Sequence, residues 1–215
     1  MFQVRFHGRG GQGVVTAAEL LSVAAFDAGL WSQAFPSFGS ERTGAPVVAY
    51  TRIDDHEIRT REPVIAPDAL VVQDVTLVHQ VDLFAGLVPE GYVLINTQRS
   101  LASLGLDGLL NGESRFRVVS VPATEIAMEQ TGRPLPNAVL LGGLVALASV
   151  VALAAVEKAI EQRFIGSIAS KNIAGAREAY DLVRAGQAGK DAANGGSRGE
   201  EDPQGEEALA GASSD

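Results

Sequence analysis

The apolar positions of this chain fall into short runs separated by longer amphipathic stretches. Ala69-Leu70-Val71-Val72 and Tyr92-Val93-Leu94-Ile95 are apolar at consecutive positions, the pattern of strands covered on both faces. Read in order, the pattern predicts a strand over 2–7, a glycine-rich turn over 8–13, a helix over 14–29, a strand over 31–35, a polar loop over 36–44 and a strand over 45–53. It continues with a short strand over 56–59, a strand over 68–73 and a helix of about ten residues from Val75. Strands over 91–95 and 116–121 follow, then a helix from Ala123 or Thr124 to Gln130. Val47–Ile53 meets His56-Glu57-Ile58-Arg59 across Asp54-Asp55, which reads as a β-hairpin. The alternation of strand and helix predicts an α/β, Rossmann-like, mostly parallel sheet with helices on both faces and that β-hairpin as an insertion.

Ala138 to Val156 runs 19 residues without a charge, the length of a membrane span. Gly142, Gly143, Ser149 and repeated alanines dilute it, and no Trp, Tyr or basic flank marks an interface. The expectation is a buried helix over 138–149, a break near 150–152, and a second, amphipathic helix through Glu157–Arg163. No basic, apolar leader precedes Phe2–Phe6, so a cytoplasmic protein without a signal peptide or a membrane span is expected.

Apolar residues make up 46% of the 215 residues, enough for one folded core. The net charge is −9 and no basic stripe is visible, which argues against nucleic-acid binding. From Gly186 onward seven acids face only Lys190 and Arg198, and no apolar periodicity remains. The domain is therefore placed at 1–186, with an acidic, disordered tail over 187–215. The chain has no cysteine, so it supplies no disulfide, no thiolate zinc site, no cysteine nucleophile and no cysteine ligand for an iron–sulfur cluster.

Gly8-Arg9-Gly10-Gly11-Gln12-Gly13 fits G-x-G-x-x-G between a predicted strand and a predicted helix, the context in which backbone N–H groups at a helix start receive a phosphate. Gly8 is expected to allow the tight turn, Gly10 close approach of a ligand, and Gly13 the packing of helix on strand. A bare turn without a ligand is the competing reading. The acid that would hold a ribose at the end of the second strand is missing, since that strand reads Trp31-Ser32-Gln33-Ala34-Phe35, which disfavours a nicotinamide cofactor.

With these features the chain resembles the gamma subunit, or gamma domain, of the 2-oxoacid:ferredoxin oxidoreductases, pyruvate synthase and its relatives. The resemblance covers about residues 2–184. It is carried by Phe6–Val14, by Pro36-Ser37-Phe38-Gly39-Ser40-Glu41-Arg42-Thr43-Gly44-Ala45-Pro46, by Gln73–Leu77, by Asn96, by Pro122–Ala127, by Asn137–Gly142 and by Lys171-Asn172-Ile173-Ala174. It implies a complex that oxidatively decarboxylates a 2-oxoacid to acyl-CoA and CO2. Thiamine diphosphate, Mg and four-iron, four-sulfur clusters are then expected on alpha, beta and delta-type (ferredoxin-like) partner subunits, and ferredoxin or another acceptor takes the electrons. No Gly-Asp-Gly triplet of the thiamine diphosphate motif occurs here. The family loop is usually rich in Arg-Gly-Gly, whereas this chain has Arg42-Thr43-Gly44.

This resemblance assigns the chain no redox step and no catalytic residue, no cofactor bound by itself alone, and a contact with coenzyme A. The expected contact comprises Gly8, Arg9, Gly10, Gly11, Gln12 and Gly13, with Arg42 as a second cation. Two other readings stay open: a free-standing NAD(P)-dependent reductase, and a purely structural interaction module. His7 is expected to be a hydrogen-bonded structural residue, and Asp74 and Asn96 to cap backbone, with lining of the crevice at the strand ends as the alternative; Trp31 with Phe35 and Phe38 is expected to meet a partner, with core packing as the alternative.

Overall fold

The computed structural model describes residues 1–37, 44–108 and 116–195. Six strands, β1 (Phe2–Arg9), β2 (Trp31–Pro36), β3 (Pro46–Asp54), β4 (Ala69–Val72), β5 (Tyr92–Asn96) and β6 (Arg117–Val121), make one sheet in the order β2-β3-β1-β4-β5-β6. β1, β4, β5 and β6 run parallel, with Phe6 opposite Val71 and Val71 opposite Leu94. β3 lies antiparallel to β1, with Phe6 opposite Ala49, and β2 lies antiparallel to β3.

The hairpin expected between 45–53 and 56–59 does not form, because both edges of β3 are already taken by β1 and β2. Residues 56–59 instead leave the sheet, where the turn bonds to itself: His56 N–H donates to Asp54 Oδ1 at 3.3 Å, and the His56 ring nitrogen Nδ1 lies 2.6 Å from Asp55 Oδ1.

Five α-helices are present among the described residues: α1 (Val14–Asp27), α2 (Ala123–Thr131), α3 (Asn137–Ala148), α4 (Leu153–Arg163) and α5 (Ser167–Gly195). Strand alternation sorts the core into two layers. Val4, Phe6, Ala49, Val71, Leu94 and Val121 face the helices, and the buried residues of all five helices join this layer. Leu70, Val72, Val93 and Ile95 face the other way and meet Leu77, Leu83, Leu87, Leu104 and Leu106. Among the described residues that second face is covered by 3-10 turns at Val75–His79 and Ala102–Leu104, not by α-helices as expected. The helix anticipated from Val75 stops after five residues. Leu83 and Ala85 carbonyls, which a longer helix would have used internally, accept instead from Arg5 Nη2 at 2.7 and 2.8 Å.

α3 is buried from Asn137 to Leu147, and Ser149, at φ 51°, turns the chain out of the helix. The uncharged run is thereby split between α3 and α4, and among the described residues no helix is long and apolar enough to cross a membrane. α5 continues to Gly195, so nine residues of the expected tail are helical. Ala188, Lys190, Ala192 and Ala193 favour that extension. Residues 196–215 lie outside the described residues.

Candidate functional site

β1 delivers the glycine turn to the end of the sheet where the parallel strands point, and α1 leaves from it. The glycines divide the work differently from expectation. A Cβ on Gly8 would stand 2.6 Å from Val14 Cγ2 and 3.2 Å from Gln73 Cβ, so Gly8 is the residue that lets α1 pack on the strand. Gly11 (φ 93°) and Gly13 (φ 74°) hold the left-handed backbone of the turn. Gly10 is paired to the loop after residue 43: its N–H donates to Ala45 O at 2.9 Å, and its carbonyl accepts from Gly44 N–H at 3.1 Å. Gln12 N–H closes on Arg9 O at 3.1 Å. Of the turn's amides, those of Gly11 and Gly13 have no protein acceptor among the described residues, and both residues line a cleft.

Arg9 braces the turn. Its guanidinium lies 3.2 Å from Asp74 Oδ2 and donates to Thr76 Oγ1 at 2.8 Å, Gln80 Oε1 at 3.1 Å and Gly44 O at 3.1 Å. Gln12 ties the turn to the same carboxylate, accepting from Arg9 N–H at 2.8 Å and donating to Asp74 Oδ2 at 2.7 Å. Partial burial pushes the Asp74 pKa up, but hydrogen bonds from Thr76 and Gln12 and the charge of Arg9 outweigh it and hold the carboxyl below its ordinary value. Asp74 also caps the 3-10 turn through Thr76 N–H at 2.9 Å. Arg42, with Phe38 and Thr43, lies outside the described residues.

Two cavities flank the turn. One, of about 390 Å³, sits at the strand ends and is lined by Gln12, Gln73, Asp74, Asn96, Thr97 and Arg99 among others. Asn96 is spent there as an internal brace, donating to Gln73 O at 2.8 Å and Thr124 Oγ1 at 2.7 Å while its Oδ1 accepts from Thr124 N–H at 3.1 Å. Asp74 and Asn96 thus both bond backbone and line the crevice. The other cavity, of about 340 Å³, opens beside Gly11 and Gly13 where α1, α3 and α5 begin. Arg133, Arg163 and Lys171 reach it, and among the described residues no carboxylate lines it. None of the three carries a site role in the sequence, Lys171 entering only as part of a motif, because they come from a loop and two helix ends that no local motif connects to residues 8–13.

His7 is buried on the sheet face opposite α1, and among the described residues its Nε2 has no hydrogen-bond partner. The hydrogen-bonded role expected for it is therefore not seen, since among the described residues its ring makes no hydrogen bond. Burial, helped by the nearby positive charge of Arg5, lowers its pKa from 6.5 to about 4. Trp31 is 52% exposed at the start of the edge strand β2. Phe35 is packed 5.2 Å from the Tyr50 ring and lies under the Arg52 guanidinium.

The fold and this end of the sheet define the class: an α/β protein of Rossmann-like build, with its glycine turn and two clefts gathered where the parallel strands end. Residues 3–182 match the pyruvate ferredoxin/flavodoxin oxidoreductase family, and the chain belongs to that family. It is 46% identical over 184 residues to the pyruvate synthase subunit PorC of Methanothermobacter marburgensis, covering 86% of this chain and 98% of that one. It is 45% identical over 181 residues to the common gamma subunit of the pyruvate/ketoisovalerate oxidoreductases of Pyrococcus furiosus, covering 84% and 96%. The crystal structure of the pyruvate oxidoreductase subunit PORC of Thermotoga maritima superposes with a TM-score of 0.73 at 36% identity, covering 84% of this chain and 95% of that one. The chain is accordingly the gamma subunit of a 2-oxoacid:ferredoxin oxidoreductase, one part of a multi-subunit enzyme.

Proposed function

We propose that, within the complex, this subunit supports assembly and presents the amides of the glycine turn to the phosphates of coenzyme A. Gly8, Arg9, Gly10, Gly11, Gln12 and Gly13 form or brace that surface, with Arg42 as a further cation. The observation that carries the reading is that, among the described residues, the Gly11 and Gly13 N–H groups have no protein acceptor and both residues line a cleft at the start of α1, where the helix favours an anion. Gly8 and Gln12 shape the turn, and Arg9 holds it against Asp74 and Thr76.

Thiamine diphosphate, Mg and the four-iron, four-sulfur clusters belong in this reading to alpha, beta and delta-type partners in the cytoplasm, with ferredoxin or another acceptor beyond them. The donor set of this chain does not fit a cluster, since it has no cysteine. Asp54, Asp55 and His56 are near one another at the surface, but the His56 ring is already engaged by the two carboxylates.

A nicotinamide reductase is the weaker reading on structural grounds. The second strand ends without a carboxylate and lies at the sheet edge, separated from β1 by the antiparallel β3, whereas a dinucleotide fold sets that strand beside the first. The test is the Michaelis constant for CoA in the assembled enzyme. Arg42→Ala is expected to raise it several-fold with the constant for the 2-oxoacid unchanged. Arg9→Ala is expected to raise it and to lower the thermal midpoint, because the brace goes too. Unchanged CoA constants in both variants would leave the scaffold reading in its place.

A further inference from the structure

The geometry points to a docking pocket for a partner subunit at the ends of β4 and β5, in which the Gln73 carboxamide receives an amide group of the partner chain. It rests on the reading that this subunit supports assembly, and adds the place where a partner is held.

Gln73 is the first observation. It follows β4 directly, is 1% exposed, and lines the cavity of about 390 Å³ at the strand ends. Its main chain is satisfied: the N–H donates to His7 O at 2.7 Å, and the carbonyl accepts from Asn96 Nδ2 at 2.8 Å. Its side chain is not, since among the described residues neither Nε2 nor Oε1 has a hydrogen-bond partner. The other buried polar side chains of this wall are spent within the chain. Asn96 is held by Gln73 O and by Thr124, and Thr97 Oγ1 accepts from Arg99 N–H at 3.0 Å. A buried donor and a buried acceptor, both unused, destabilise a chain that stands alone. A peptide group or a second carboxamide supplies the matching acceptor and donor together.

Charge is the second observation, and it selects the guest. Arg99 and Glu125 are exposed at the same cavity. Among the described residues neither forms an ion pair, with the other or with any further group. Asp74, the third charged residue of the wall, is already 3.2 Å from Arg9. One free cation and one free anion offer no net attraction to a phosphate or to any other ligand of a single sign, whereas a polypeptide brings acid, base and amide together. The guest that fits is a segment of a partner subunit with an Asn, a Gln or a bare peptide group at its tip, flanked by an acid to face Arg99 and a base to face Glu125.

Because the chain has no cysteine, Gln98→Cys places its single thiol in the wall of this cavity. Alkylation of that thiol by iodoacetamide, followed by mass spectrometry of this subunit, is compared between the assembled enzyme and the free full-length chain. Assembly is expected to slow it by about tenfold or more, as contact with the partner excludes the reagent. Gln73→Leu supplies a second measurement. It removes donor and acceptor at similar volume, so the thermal midpoint of the free chain should stay or rise, while the dissociation constant of the subunit from the complex should rise about tenfold. Equal alkylation rates, or an unchanged dissociation constant, overturn the pocket and leave the assembly reading standing, whereas failure of the wild-type chain to join the complex ends both. A lower midpoint for free Gln73→Leu would show the carboxamide satisfied without a partner, and protection of the thiol by CoA in the free chain would make the coenzyme the guest; either result overturns the proposal.

Discussion

His7 shows how a single side chain converts packing into pH dependence. It stays neutral in the fold because burial and Arg5 lower its pKa to about 4, against 6.5 for a free imidazole. Below pH 6.5 the unfolded chain takes up a proton that the native chain refuses, so the stability owed to neutral His7 is complete above that pH. It declines as the pH falls towards about 4. The whole span corresponds to about 3 kcal/mol. His7→Gln, which cannot titrate, should flatten the unfolding free energy measured by urea between pH 7.5 and 4. Parallel profiles for the two proteins would mean that the imidazole titrates normally. At this scale the sequence was informative about residues near the glycine motif, since Asp74, Asn96 and Gly8–Gly13 sit at predictable strand ends. It gave no site role to Asn137, known only as part of a motif, or to Arg163, which α3 and α4 bring to the cleft beside Gly13.

At the scale of elements, the central strands were legible because each is apolar on both faces, as Val71 and Leu70 show by packing into opposite layers. Their order was not. β3 inserts between β1 and β2 through ladders such as Phe6 with Ala49 and Phe35 with Tyr50, and alternation along one strand does not say which edge it will meet. The α3–α5 contact carries a sharper consequence. A Cβ on Gly142 would lie only 1.9 Å from Ala176 O, a backbone atom of α5, whereas one on Gly143 would meet the flexible Leu94 side chain at 3.3 Å. Gly142→Ala must therefore push two helices apart and should cost about 1–3 kcal/mol or more, while Gly143→Ala should cost less than about 1 kcal/mol. Thermal midpoints of the two variants check this, and equal values would show that the helices adjust freely. Displacing α5 would also move Lys171, so Gly142→Ala should weaken any anion held in the cleft it lines.

Over the whole molecule, the cationic cleft works against its own background. Residues 196–215 hold six acids and one base, over half of the chain's net negative charge, and such a segment opposes the approach of any polyanion as long as it lies within the screening length, about 8 Å at physiological ionic strength. That part of the molecule was read from composition alone, which registers charge but not distance. Deleting 196–215 leaves the sheet and every described helix intact, so the thermal midpoint should not move. At low salt the deletion should raise kcat/KM for CoA in the assembled enzyme, because association of opposite charges improves when like charge is removed. Adding salt should bring truncated and full-length enzymes together, since both the attraction of Arg133, Arg163 and Lys171 and the repulsion of the tail are screened. Values that coincide even at low salt would place the tail's charge beyond reach of the coenzyme's path. A drop on truncation would give the acids an attractive role instead, as a contact with a basic partner whose loss loosens the complex.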